Sequence, residues 1–238
     1  MLWKKTWSPE AVLLLLGGIV LAGFSGSLAA ELLRSAGVAG FKTPVSPGNL
    51  LATTLCFHGT ALVLGFAFLK FQGESLITAF GLRDPNLKSN LLLAGVVLVA
   101  VLPVMLGLKS VSEMAMHKLG WAAQDQDAVK LLNSVKSVWL RAYLGIFAVV
   151  VAPVAEEFFF RGLLFSTAQK LGWPKLGWIG VSLLFAFIHH SAPAFVPLFV
   201  FAVAQTWLYQ TTDNLLAPIV THSLFNATNL GLLFLQKS

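Results

Sequence analysis

The segment YLGIFAVVVAPVAEEFFFRGLLF, residues 143–165, places three charged side chains inside an otherwise apolar run. Its length matches the about 20 residues that a helix needs to cross a hydrocarbon core of about 30 Å. Each charge near the centre of such a helix costs about 2.5 to 3.5 kcal/mol on the insertion scale. A helix with Glu156, Glu157 and Arg161 is therefore marginal when alone in lipid. We expect these charges to face a protein interior.

The composition of the 238 residues is that of a membrane protein, because 57% of them are hydrophobic and only 11% are charged. Soluble domains have about 25% charged residues. The net charge of +6 comes from basic residues that stand singly between apolar runs. They fit flanks of membrane spans that face anionic lipid, and no basic face for nucleic acid is indicated. The single cysteine, Cys56, excludes an intramolecular disulfide.

Seven apolar segments of about membrane length predict an all-α fold, a polytopic integral membrane helix bundle with about seven spans. We expect residues 1–238 to form a single membrane domain. A cleavable signal peptide is the alternative for the first segment, since small residues suited to a cleavage site occur near its end. The seven segments cover about residues 11–30, 50–69, 91–108, 139–168, 176–190, 196–209 and 215–235.

The long polar stretch of the chain covers residues 109–138. Its apolar residues Leu131, Leu132, Val135 and Val138 recur at helical spacing. This pattern predicts an amphipathic helix that lies in the membrane interface. The stretch is interpreted either as a simple connector or as a lid over a site.

Within the quoted segment, Glu157 and Arg161 are four residues apart, in the order that favours an ion pair on one helix face. Glu156 lies about 100° around the helix and has no partner within the span. A solitary carboxyl inside a membrane indicates a functional site. Pro153 removes one backbone donor three residues earlier, which predicts a kink or an opening of the helix to water.

Two later segments supply polar complements to this carboxyl. Phe185 and His189 are four residues apart, and so are His222 and Asn226. We expect each pair to occupy one helix face and to point toward a common interior. His190 is interpreted as a neighbour of the site, and the two remaining histidines as structural: His58 and His117.

The three pairs form the motifs EExxxR at 156–161, FxxxH at 185–189 and HxxxN at 222–226, in that order on separate apolar segments. This arrangement resembles the CPBP family of intramembrane glutamic endopeptidases, also called the Abi or CAAX-protease-and-bacteriocin-processing family. The resemblance covers roughly residues 149–230, in a catalytic core of about 139–235. It implies a helical bundle with a water-accessible cavity that hydrolyses peptide bonds without a covalent intermediate. It also implies a peptide or protein substrate in or at the lipid bilayer, and the plasma membrane if the chain is prokaryotic.

The chemistry of these residues suggests a mechanism. A carboxyl removed from water is suited to accept a proton at neutral pH. We expect Glu156 and His189 to activate a water, while His222 and Asn226 donate hydrogen bonds to the oxyanion. Arg161 would alternatively bind a terminal carboxylate of the substrate if Glu157 left it free. No cofactor or metal is expected, and three residues are assigned structural or substrate-positioning roles: Glu157, Arg161 and Phe185.

Other functions stay open from the sequence. One Glu and two His match a zinc set, although no HExxH occurs and Asn226 is a poor zinc ligand. Residues 23–26 spell the GxSG of a rhomboid-like serine protease, but Gly18, Ala22 and Gly26 repeat every four residues, as a packing seam does. An ion-coupled transporter or a non-catalytic scaffold would also contain buried Glu and His. Asn226, one turn after His222, favours the protease, because an oxyanion site needs donors there.

Overall fold

The computed structural model describes residues 8–43, 46–124 and 126–235, and within these residues it contains helices and no strand, as the sequence predicts. Two short helical turns, Ala39–Phe41 and Leu76–Ala79, lie in connections. The longer helices are α1 (Pro9–Ser35), α2 (Pro47–Phe71), α3 (Leu87–Lys118), α4 (Asp127–Ser134), α5 (Val138–Lys170), α6 (Pro174–Phe187), α7 (Ala192–Thr212) and α8 (Leu216–Leu235).

Proline and polar caps mark where several of these helices begin. Ser8 caps α1, because its side chain accepts a hydrogen bond of 3.2 Å from the Ala11 N–H, and Pro9 follows it. Proline also stands at the first or second position of α2, α6 and α7, where its missing N–H has no helical partner to lose. The sequence thus sets helix starts locally, and tertiary packing decides their arrangement.

Five helices, α1, α2, α3, α5 and α7, are long and apolar enough to cross a membrane. The helix α6 is apolar but has only 14 residues, and α8 is not among the five. Each of the seven predicted segments nevertheless coincides with one helix. Membrane crossing by α6 and α8 stays a prediction.

Two predicted boundaries are wrong. The fifth segment, expected to continue through His190, ends as a helix at Phe187, so His189 lies in the turn that follows. The first part of the polar stretch belongs to α3, which continues to Lys118. The amphipathic face is also shorter than expected, because Leu132 and Val135 are buried while Val138 begins α5 and is 75% exposed. Placement of α4 in the membrane interface stays a prediction.

The helix α7 forms the centre of the bundle. Of its most apolar 18-residue window, 56% is buried, against 17 to 22% for the other four candidate spans. Phe201 of α7 stacks on Phe225 of α8, with ring centroids 4.5 Å apart. At the periphery, α1 packs on α2 so closely that a Cβ added at Gly26 would overlap the Cβ of Cys56. This contact supports the packing seam as the reason for the small residues of α1.

A polar clip joins the connection before α3 to the turn between α7 and α8. Asp84 accepts hydrogen bonds from the side chains of Asn90 (2.8 Å) and Asn214 (3.0 Å) and from the N–H of Asn86 (2.8 Å). Asn214 also donates to the carbonyl of Gly81, at 3.1 Å. Gly81 has φ +70°, and a Cβ there would lie 2.5 Å from the Asn214 amide, so both backbone and space require glycine. The clip therefore connects the two halves of the chain.

We expect Asn214→Ala to lower the free energy of unfolding by about 1 to 3 kcal/mol, because a buried amide and its hydrogen bonds are lost. The hydrogen bond from Asn214, followed by that from the Asn86 N–H, lowers the pKa of Asp84. A lowered pKa stabilises the fold above the unfolded value of about 3.9, and this contribution disappears as pH falls through the folded value. The difference in free energy of unfolding between wild type and Asn214→Ala should therefore become smaller at acidic pH. Thermal unfolding in detergent at several pH values measures it, with exposed Ser89→Ala as control.

Candidate active site

The backbone of α5 departs from α-helical geometry on both sides of the two glutamates. The π-helical turns Phe147–Val151 and Phe158–Phe165 flank the short α-helical stretch Ala152–Glu157. Such turns are rare and are frequent at functional sites. Glu156 and Glu157 thus lie where the helix changes its winding.

Pro153 leaves a carbonyl of the first π-helical turn without its helical donor. The Ala152 N–H bonds to the Phe147 carbonyl, five residues back. The next bond of this register would join residue 153 to the Ala148 carbonyl, but proline has no N–H. Asn226 of α8 supplies the donor, with Nδ2 2.8 Å from the Ala148 oxygen. The proline therefore creates a binding point for α8 at Ala148, about two turns before Glu156.

The predicted ion pair between Glu157 and Arg161 is present, with Nη1 3.0 Å from Oε2 and both side chains 0% exposed. Arg161 also donates to the Ala202 carbonyl of α7 at 2.9 Å, and its guanidinium lies 5.0 Å from the ring centre of Phe185. Buried charges are stable only when paired and hydrogen-bonded in this way. With Glu157 bound to Arg161, the structure supports a positioning role for the arginine rather than a carboxylate clamp.

The ring of His222 lies between the two glutamates. Its Nδ1 is 2.8 Å from Glu157 Oε1, and its Nε2 is 3.9 Å from Glu156 Oε2. Because Glu157 is ionised against Arg161, its oxygen accepts and Nδ1–H donates. This hydrogen bond leaves Nε2 on the side of Glu156. The ion pair therefore orients His222.

Glu156 has the solitary character that the sequence predicts. Its side chain is 18% exposed, and Oε2 is buried without a hydrogen-bond partner in the described part of the chain. The neighbouring charge on Glu157 is neutralised by Arg161. Glu156 is thus available to bind a further group.

His189 is held by its own backbone. Its Nδ1 lies 2.6 Å from the carbonyl oxygen of Phe185, and a carbonyl only accepts, so Nδ1–H donates and Nε2 is the acceptor of a neutral ring. The ring centre of Phe185 lies 4.6 Å from that of His189 and 5.8 Å from that of His222. Phe185 therefore packs against both histidines. Between Glu156 and His189 the structure records no hydrogen bond or ion pair within residues 8–43, 46–124 and 126–235, so their joint action stays a prediction.

Sequence reasoning missed Gln205 of α7. This fully buried side chain donates from Nε2 to Glu157 Oε1 (3.3 Å) and to the Pro218 carbonyl of α8 (2.7 Å). An isolated amide within the run FVFAVAQTWLY was the available signal. A buried polar residue in an apolar helix needs a partner, and here the partner is the motif glutamate.

The described residues contain no evident metal-binding site. No three His, Cys, Asp or Glu side chains among them are arranged to hold an ion. The two motif histidines direct Nδ1 to a carboxylate and to a backbone carbonyl.

We expect Arg161→Ala to lower the free energy of unfolding by about 3 to 5 kcal/mol, because it leaves Glu157 buried without its cation. The exposed pair Arg34–Glu31 provides the control, with side chains 43% and 52% exposed. Arg34→Ala should change the stability little, because exposed ion pairs are screened by solvent. Thermal unfolding of the purified variants measures both values. Equal stability of Arg161→Ala and wild type, with altered cleavage sites, would instead favour the carboxylate clamp.

The comparison with known proteins agrees with this geometry. A family model described as "Type II CAAX prenyl endopeptidase Rce1-like" matches residues 138–228, which include all three motifs. No curated protein and no solved structure matches the chain significantly. The matched region begins with α5 and ends within α8, so it contains Glu156, His189 and His222. Residues 138–228 are therefore similar to the Rce1-like CAAX prenyl endopeptidases of the CPBP family, which are hydrolases, and the apolar helices indicate an integral membrane protein.

Proposed function

We propose that this protein is an intramembrane glutamic endopeptidase in which Glu156 activates a water for peptide-bond hydrolysis. The observation that carries the proposal is the unpartnered Oε2 of Glu156, 3.9 Å from His222 Nε2 and next to a fully neutralised Glu157. A general base must reach the proton that it removes, directly or through one water. Glu156 has that freedom, whereas Glu157 is held by three side chains.

The reaction proceeds by addition and elimination. Glu156 accepts one proton of the water, and the water oxygen forms a bond to the scissile carbonyl carbon, whose oxygen becomes negative. His189 accepts a hydrogen bond from the remaining water proton at Nε2. Collapse of the intermediate then breaks the C–N bond, and the proton held by Glu156 passes to the leaving amine. The products are a carboxylic acid and an amine, with no covalent enzyme intermediate.

The oxyanion takes its donors from α8 in this proposal. Asn226 Nδ2 has two hydrogens, of which the Ala148 carbonyl uses one, so the second is available to the substrate. His222 donates from Nε2 only when its ring carries a second proton, because Nδ1–H is already bound to Glu157. The structure thus supports Asn226 as the donor that is ready in the resting enzyme.

The substrate class follows from the family and the setting. A CAAX prenyl endopeptidase acts on a lipid-modified peptide, and we propose a membrane-associated peptide or protein for this chain. In this proposal α6 and α8 complete a bundle of seven spans, α4 lies in the interface, and the enzyme occupies the plasma membrane if the chain is prokaryotic. In this proposal residues 1–238 form a single membrane domain.

We expect Glu156→Gln to reduce cleavage of a farnesylated, internally quenched CAAX peptide by at least about 10²-fold, because the amide cannot accept a proton. Thermal unfolding should be close to that of wild type. The control is Glu113→Gln, since Glu113 is an exposed partner of Lys109 at 3.6 Å. Fluorescence of the cleaved peptide in detergent micelles measures the rate.

The same assay distinguishes the alternatives. Cleavage by wild type that survives EDTA supports the glutamate mechanism, whereas loss on chelation and recovery with Zn²⁺ would establish a zinc enzyme. A transporter would be established by two results together. Wild type would cleave nothing, and in proteoliposomes it would move protons or a solute, which Glu156→Gln would abolish.

We expect Asn226→Ala to reduce kcat by about 10² to 10³, because one oxyanion donor is removed. The variant should also be less stable, since the Ala148 carbonyl loses its donor. The double variant Pro153→Ala/Asn226→Ala separates these effects, because an alanine in place of the proline regains an N–H in register with that carbonyl. Stability should then recover while kcat stays low. Recovery of kcat together with stability would show that Asn226 acts only on the backbone.

A further inference from the structure

His58 lies in an irregular turn of α2. The residues Leu55–Gly59 wind as a π-helix, and the side chain of His58 is half-buried there. Its ring stands edge-on to Phe57, with centroids 5.1 Å apart, and to Phe147 of α5, at 4.9 Å. Phe147 begins the π-helical turn that precedes Glu156. Irregular turns of two helices therefore meet at this histidine.

The packing of α2 on α5 fixes this neighbourhood. Seven residues after His58, a Cβ added at Gly65 would overlap the ring of Phe158, which follows the two glutamates. Residues seven apart share a helix face, so Gly65 and His58 both face α5. Glu156 lies in the α5 stretch between Phe147 and Phe158, the two residues that α2 contacts at His58 and at Gly65.

Two of the buried polar atoms that have no hydrogen-bond partner among the described residues matter here. They are Nδ1 of His58 and Oε2 of Glu156, each without a hydrogen bond to any described residue. Buried polar atoms are almost always paired, because an unpaired one costs about 1 to 3 kcal/mol. His189 shows the usual structural solution, in which Nδ1 binds a backbone carbonyl. His58 does not adopt it.

We propose that His58 is a further residue of the active site, whose Nδ1 and the Oε2 of Glu156 bind one water, the water that Glu156 activates. A buried water needs two to four polar partners. His189, which accepts the second water hydrogen in the proposed mechanism, is the third, so Nδ1–H of His58 donates to the water oxygen. The inference rests on the proposed function and extends it beyond residues 138–228, since His58 belongs to the N-terminal part of the chain. Phe57 and Phe147 hold the ring in place.

Three variants test this role with the farnesylated, internally quenched CAAX peptide. His58→Phe keeps a planar ring without nitrogen, and it should lower kcat by about 10- to 100-fold with little change in KM, because the water loses a partner that positions it. His58→Asn places an amide near the position of Nδ1 and should recover part of kcat. The matched control is His117→Phe, since His117 is exposed at the end of α3. Equal kcat for His58→Phe and His117→Phe, with an active wild type, overturns the inference.

A double-mutant cycle of melting temperatures tests the shared water without an activity measurement. If His58 and Glu156 share a water, the changes in melting temperature for His58→Phe and Glu156→Gln should be non-additive in the double variant. Additive changes overturn the shared water. If wild type cleaves nothing, the proposed function is refuted, but the shared water is not tested by that result. The double-mutant cycle still tests whether His58 and Glu156 share a water.

Discussion

The buried ion pair between Glu157 and Arg161 is the constraint on which the rest of the site depends. Its two charges are fully removed from solvent, so they need hydrogen-bond partners in addition to each other. Ala202 and Gln205 of α7 and His222 of α8 provide these partners. A pair within one helix thereby joins three helices, and it leaves the adjacent Glu156 as the carboxyl with a free oxygen.

A second constraint is the backbone of α5. Pro153 and the π-helical turn expose the Ala148 carbonyl, and Asn226 binds it. The same residue is the proposed oxyanion donor, so one amide would both attach α8 to α5 and contact the substrate. This double use explains why the asparagine lies one turn after His222. With this spacing, His222 and Asn226 lie on successive turns of α8, where His222 contacts Glu157 and Asn226 contacts the Ala148 carbonyl.

The sequence predicted the features that depend on local periodicity. The pair Glu157–Arg161 follows from a spacing of four residues, and the apolar segments follow from composition. His189 was expected on a helix but lies beyond the end of α6, where its bond to the Phe185 carbonyl keeps the spacing of four. Gln205 was missed because its partners are 48 and 13 residues away. Only the packing of α7 against α5 and α8 brings them together.

His58, which the sequence analysis interpreted as structural, also depends on contacts between distant parts of the chain. His58 has no acidic or amide residue at helical spacing within α2, so periodicity alone marks it as structural. Its relation to Glu156 arises from the contact between Gly65 and Phe158, a close approach that only a residue without Cβ allows. The family match begins at residue 138, yet a glycine of α2 determines how this helix lies against the glutamates. In the proposed enzyme the N-terminal helices are therefore more than a membrane anchor, because they form one wall of the space where water meets Glu156.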